Sequence, residues 1–133
     1  MKGLKTRVTH GIQKESLIPT CDNSGAKYLR VISFRGYKGR SGRHPTGGVS
    51  GFITASVVKG NLEMRKKVVN AVIVRQTKEY RRPDGMRIKF EDNAAVVLKD
   101  DKGNPKGTLI KGPIAKEVVE RWPAIGKLAK MVM

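Results

Sequence analysis

Short apolar runs recur along the chain, and polar turn signals separate them. Five of these runs are rich in valine, isoleucine and phenylalanine, the composition that favours β-strands. The predicted strands are residues 28–34, 52–59, 68–75, 86–91 and 94–98. Glycine, proline, asparagine and aspartate occupy the breaks between them. The pattern predicts an all-β fold, a small closed five-stranded β-barrel, because closure removes exposed sheet edges.

The spacing of apolar residues changes after Gly112 and Pro113. From there it fits a helix, and Pro123 is expected to end that helix because proline cannot continue one. Ile125 and Leu128 begin the apolar face of a second short helix. The sequence therefore predicts two short C-terminal α-helices that pack on the barrel as a lid.

The length of 133 residues suits one folded domain. We divide it into a barrel with basic loops at about 17–111 and a helical tail at 112–133. The longest apolar runs have the length of strands, and the amino terminus lacks the apolar core of a signal peptide. We therefore expect a cytoplasmic protein that does not contact membranes. The single cysteine, Cys21, cannot form an internal disulfide.

The net charge of the chain limits the kinds of partner that it is expected to bind. The chain has 28 Lys and Arg against 11 Asp and Glu, a formal charge of +17. Residues 27–89 contain 16 of the basic and 3 of the acidic side chains, which is a net charge of +13 in that segment. A protein with this charge is expected to bind a polyanion, and nucleic acid is the favoured one.

Three basic clusters are the candidate contacts with phosphate. One is the glycine-rich loop at 36–48, the second a basic tip at 59–67, and the third a projecting β-ribbon around Asp84 and Gly85, a strong hairpin signal. Glycine lets the backbone approach phosphate, and arginine donates paired hydrogen bonds to phosphate oxygens. A solvated, mobile loop and solvated charge runs are the alternatives. The predicted RNA-binding residues are Arg35, Lys38, Arg40, Arg43, Arg65, Lys66, Lys67, Arg75, Lys78, Arg81, Arg82 and Arg87.

Few residues outside these clusters are candidates for base stacking, catalysis or metal binding. Aromatic residues make up 5% of the chain, and Phe34, Phe52 and Phe90 lie within apolar alternation and are expected in the core. Recognition is therefore expected to use the RNA backbone more than base stacking. His10 and His44 lack nearby carboxylates or cysteines in sequence. We predict a protein that is not an enzyme and that has no cofactor or metal site.

Six segments in sequence order stand out as motifs: CDNSGA at 21–26, AVIVR at 71–75, RRPDG at 81–85, FEDNAA at 90–95, Gly107-Thr108 and Gly112-Pro113. Together they resemble the universal large-subunit ribosomal protein fourteen family, in its archaeal and eukaryotic branch. The resemblance covers about residue 17 to the end, and Ser50-Gly51 departs from the Gly-Asp that the family usually has there.

The resemblance implies a five-stranded barrel with carboxy-terminal helices, seated on large-subunit rRNA in the cytoplasmic ribosome. It further implies intersubunit bridges to small-subunit rRNA, and ribosomal proteins three and twenty-four-e as neighbours. Anti-association initiation factor six is implied as a possible partner. We expect no homo-oligomer.

Two other functions remain open on the residues alone. A mobile single-strand chaperone or translation factor would need exposed aromatic rings on one strand face, and the chain has few. An enzyme that acts on RNA would need clustered carboxylates or a histidine acid and base pair.

Overall fold

A computed structural model describes residues 2–133, and it consists mostly of short strands. The helices are α1 (Lys116–Arg121) and α2 (Pro123–Gly126). The strands are β1 (Ile12–Gln13), β2 (Leu17–Pro19), β3 (Ala26–Phe34), β4 (Thr46–Gly47), β5 (Phe52–Gly60), β6 (Val68–Arg75), β7 (Tyr80–Arg81), β8 (Arg87–Ile88), β9 (Ala94–Val97), β10 (Pro113–Ile114) and β11 (Met131–Val132).

The central sheet has five strands in the order β2-β3-β5-β6-β9, and every neighbouring pair is antiparallel. It curls into a half-barrel, with register shifts that mark bulges in the β3–β5 and β6–β9 pairs. One isolated bridge, between Thr20 and Ala95, joins the chain after β2 to β9. Five strands and a curled sheet are confirmed, whereas a closed barrel is not, because a single bridge is not a continuous ladder.

The prediction of which five strands form the sheet was wrong at one place. Within 86–91 only Arg87–Ile88 is a strand, and it pairs with β7 in a separate two-stranded ribbon. The fifth strand of the sheet is Leu17–Pro19, which lies at the edge where proline is tolerated. Three residues are too few for a detectable apolar alternation, which explains the error. The ribbon itself was predicted correctly.

The core has two parts, one on each side of the sheet. Inside the curl, a cluster that includes Leu29, Ile53 and Ile73 is fully buried. On the other side, Val72 and Val96 pack with residues of the carboxy-terminal segment. Strand β9 and residues 71–75 of β6 are buried on both faces for this reason, and the runs 71–74 and 94–97 are continuously apolar instead of alternating.

The carboxy-terminal segment covers the outer side of β6 and β9. Its two short helices are confirmed, although α2 ends at Gly126 and Met131–Val132 forms a strand that pairs in parallel with β10. Trp122, between the helices, is 2% exposed and its ring centroid lies 5.9 Å from that of Phe52. The three phenylalanines predicted in the core are all buried.

Ser50 has a backbone conformation that favours glycine, with φ of 67°. It is fully buried, and its carbonyl accepts a hydrogen bond from Trp122 Nε1 at 3.1 Å. Its amide donates to the carbonyl of Ile73 at 2.8 Å. These main-chain contacts hold the turn in place, whereas the buried Ser50 hydroxyl has no hydrogen-bond partner among residues 2–133.

Candidate nucleic-acid interface

The glycine-rich loop follows β3 and carries its cations in solvent. Lys38, Arg40 and Arg43 are exposed, and Gly36 and Gly42 have positive φ values of 79° and 81°. The amide of Arg43 donates to the carbonyl of Arg40 at 3.2 Å, so the two arginines flank one turn. Three cations are thus held on a loop whose turns require glycine.

The amino-terminal segment faces this loop across a shared concavity. The sequence did not predict that this segment belongs to the site. Arg7 and His10 line the same concavity as Lys38, Arg40 and Arg43. Both belong to a stretch with little regular structure, so no apolar period indicated that it folds back on the loop. The only available signal was its positive charge.

Gln76 holds that segment in place. This side chain is fully buried and accepts a hydrogen bond from the amide of Val49 at 2.9 Å. Its Nε2 donates to the carbonyls of Thr9 and Lys78, each at 2.9 Å. All polar atoms of the amide are therefore paired, and one residue joins the amino-terminal segment, the turn before β5 and the ribbon.

The basic tip connects β5 to β6. Arg65, Lys66 and Lys67 are exposed, while Met64 between them and the strand is 4% exposed and anchors the turn. Lys66 has a φ of 63°, and its amide donates to the carbonyl of Val57 at 3.0 Å. The tip is therefore an ordered turn that carries three adjacent cations.

The ribbon of β7 and β8 brings two arginines together. Arg81 and Arg87 are directly opposite in its register, and both are exposed. Among residues 2–133 neither forms an ion pair with an acid. Like charges directly opposite on two strands are unfavourable, and a phosphate between them would relieve the repulsion.

Arg75 and Arg82 have partners within the chain. Arg75 is 8% exposed and donates to both oxygens of Asp92, at 2.9 and 3.0 Å, and to the carbonyls of Lys111 and Pro113. Arg82 donates from Nε to Glu117 at 2.7 Å. These two predicted site residues connect the sheet and the ribbon to the carboxy-terminal segment, and they are not brought together with the exposed cations.

Glu117 is the centre of a buried polar network. It is 3% exposed and accepts a hydrogen bond from the Tyr80 hydroxyl at 2.7 Å. Burial, together with the Glu117 carboxylate, raises the pKa of Tyr80 above its usual range. The hydrogen bond to Glu117 likewise raises the pKa of Arg82. Nη2 of Arg82 also donates to the main-chain oxygen of Met133 at 2.7 Å, so the network reaches the residue that follows β11.

Arg35 and Lys78, the remaining predicted residues, form surface ion pairs. Arg35 lies 3.6 Å from Asp101 and 4.7 Å from the centroid of the Phe52 ring. Lys78 lies 2.8 Å from Glu79. Exposed pairs of this kind contribute little to stability, so both cations remain accessible to an anion.

The groups considered for catalysis have ordinary structural surroundings. Cys21 is buried, and that burial raises the pKa of its thiol to about 12, which makes it a poor nucleophile. His10 Nδ1 lies 3.1 Å from the Thr46 hydroxyl. Within the described part of the chain, no three His, Cys, Asp or Glu side chains group to hold a metal ion. No helix there is long and apolar enough to cross a bilayer.

Comparison with known proteins relates this geometry to one family. The family model described as "Ribosomal protein L14p/L23e" matches residues 11–133. The chain is 53% identical to the large ribosomal subunit protein uL14 of Halobacterium salinarum over 133 residues, which cover 100% of both chains. Its identity to uL14 of Haloarcula marismortui is 51% over 133 residues, again 100% of both. With uL14 of Methanococcus maripaludis it shares 49% over 132 residues, 99% of each chain.

Proposed function

This chain belongs to the ribosomal protein L14p/L23e family and is a structural constituent of the large ribosomal subunit, and from that premise we propose that it binds large-subunit rRNA through its exposed basic clusters. The family is structural and not enzymatic, and the chain works in the cytoplasmic ribosome. Its contribution to translation is therefore to hold RNA in place.

The main support for this proposal is that the basic clusters are exposed to solvent. Ten of the twelve predicted cations are exposed, and they belong to the glycine-rich loop, the basic tip or the ribbon and the residues next to them. We give Arg75 and Arg82 a smaller part in these contacts than the other ten, because each already donates to a carboxylate of the chain. A-form RNA hides the base edges of its major groove, so cations spaced on rigid turns recognise its backbone and shape.

Contacts beyond the large-subunit rRNA form the second part of the proposal. We propose bridges to small-subunit rRNA, contacts with ribosomal proteins three and twenty-four-e, and docking of anti-association initiation factor six. The sequence resemblance supports these partners. The ribbon suits a bridge because it is a separate two-stranded element whose Arg81 and Arg87 form no ion pair within residues 2–133.

Replacement of Arg40 and Arg43 by alanine tests the rRNA contact. We expect the double variant to bind protein-free large-subunit rRNA more weakly. The slope of log affinity against log salt should fall by about 0.7 to 0.9 for each phosphate that the variant no longer neutralises, because each neutralised phosphate releases counterions. Filter binding across a salt series measures both quantities.

Lys127 and Lys130 supply the matched control. Both are exposed in the carboxy-terminal segment, so Lys127→Ala with Lys130→Ala removes the same charge from another surface. This control should change the slope less than the loop variant does. Equal changes would mean that net charge alone drives binding, and they would remove the glycine-rich loop from the interface.

A further inference from the structure

Two adjoining concavities lie between the amino-terminal segment and the glycine-rich loop. Both are lined by residues from each of these segments, and they share one wall. We call them the inner concavity, which reaches Phe34 and Phe52, and the outer concavity, which reaches Arg40 and Arg43. The shared wall consists of Arg7, His10, Tyr37, Lys38 and Thr46.

The two concavities differ in their apolar lining. Leu4, Val8 and Phe34 line only the inner one, where they lie beside the cations Arg7, Arg35, Lys38 and Arg121. The outer one is lined by the cations of the loop and by Arg7, and neither concavity has an acidic lining residue. An occupant that fits both has an apolar, uncharged part joined to an anionic part.

Tyr37 lines both concavities, and the hydroxyl end of its ring is held against the loop. The hydroxyl donates to the carbonyl of His44 at 3.1 Å, across the loop. The ring covers Gly39 so closely that a side chain there would collide with it. Tyr37 is half-buried, so part of a rigid aromatic face remains available to a ligand.

We propose that the two concavities together bind one unstacked nucleotide of the rRNA, with its base against Tyr37 in the inner concavity and its phosphate among Arg7, Arg40 and Arg43 in the outer one. Proteins that recognise single-stranded RNA stack splayed bases on aromatic rings or guanidinium planes and pair the phosphate with arginine. This inference rests on the proposed function and adds a base contact to backbone recognition.

Other occupants match less of the geometry. A phosphate of a continuous duplex would fill the outer concavity and leave the inner one empty. An acidic peptide would pair with the cations but would have no planar group for the ring. Only a nucleotide turned out of its stack uses the apolar walls, the ring and the cations together.

Three tyrosine variants test the inference by their affinity for protein-free large-subunit rRNA. Tyr37→Leu removes the aromatic face, and we expect about tenfold weaker binding, the order of magnitude of one stacked base. Its salt slope should stay that of the unchanged protein, because every cation is retained. Tyr37→Phe keeps the face and removes the hydroxyl, so it should bind as the unchanged protein does. Tyr28→Leu is the matched control, because Tyr28 is exposed on β3 outside both concavities.

The outcomes separate this inference from the proposed function. If Tyr37→Phe weakens binding as much as Tyr37→Leu, the hydroxyl bond to His44 matters and the stacking contact is refuted. If Tyr37→Leu binds like Tyr28→Leu while Arg40→Ala with Arg43→Ala still lowers the salt slope, backbone binding stands and the nucleotide site does not. If none of these variants alters affinity or slope, the proposed rRNA contact of the loop fails as well.

Discussion

Arginines of this chain have opposite roles in two regions of the molecule. Where the carboxy-terminal segment packs against the sheet and ribbon, Arg75 and Arg82 are largely enclosed and meet carboxylates at 2.9 and 2.7 Å. In the glycine-rich loop, Arg40 and Arg43 are exposed and have no acidic partner within residues 2–133. The same type of side chain holds the fold together in one region and is exposed to solvent in the other.

The difference shows that burial decides what an arginine does. An enclosed guanidinium must have its donors satisfied, because an unpaired buried charge is strongly unfavourable. An exposed guanidinium is hydrated, so it has little free-energy cost when no phosphate is bound. Variants in the first region should therefore change folding stability, and variants in the second should change RNA binding.

The largest effect on stability is expected at Glu117. Glu117→Ala removes the carboxylate that accepts from Arg82 Nε and from the Tyr80 hydroxyl in an enclosed site. Loss of one partner of a buried ion pair typically costs about 3–5 kcal/mol, and we expect the free energy of unfolding to fall by that order. Urea denaturation of the free protein measures it.

Glu120 is the control for Glu117, because it lies in the same helix and is exposed. Glu120→Ala removes the same charge and should change the free energy of unfolding by less than about 0.5 kcal/mol. Similar losses for the two variants would show that the helix, and not the buried network, sets the effect.

Arg75→Lys should have the next largest effect. Lysine cannot reproduce the paired bonds to Asp92 and also reach the carbonyls of Lys111 and Pro113. We expect a loss of about 2 kcal/mol in the free energy of unfolding, a value typical of charge-assisted hydrogen bonds left unmade. The positive charge is kept, so the salt slope of rRNA binding should not change. Weaker rRNA binding with unchanged stability would assign Arg75 to the interface.

Much of the fold was predictable from the sequence, and the failures have physical causes. Strands β3, β5, β6 and β9 are rich in β-branched and other apolar residues, either alternating or in a run, and their positions were predicted within two residues. Strand β2 has three residues and exists because it pairs with β3, a tertiary contact that no local pattern encodes. Strand β11 likewise depends on β10, so the apolar spacing at 125–132 was interpreted as a helix.

In the candidate site, too, local features were predictable from the sequence and tertiary contacts were not. Composition and turn signals located the three basic clusters, because glycines and charges are local features. The pairing of Arg75 with Asp92 and of Arg82 with Glu117 spans 17 and 35 residues, so no spacing argument could separate these arginines from the exposed ones. The position of Arg7 was unpredictable for a similar reason. Its segment is held beside the loop by the hydrogen bond from Gln76 to Thr9, which is distant in sequence.

The smallest effect on stability, and the sharpest contrast with Glu117, is expected at Arg81. Arg81→Ala removes the repulsion with Arg87 directly across the ribbon, so the free protein should gain a few tenths of a kcal/mol in unfolding free energy. Its affinity for rRNA should fall, and the salt slope should drop by the amount that one neutralised phosphate contributes. Arg40→Ala, an exposed arginine in a loop without an opposite strand, should lose affinity without gaining stability. A loss of stability for Arg81→Ala would mean that the ribbon, like the carboxy-terminal segment, uses its arginine to fold.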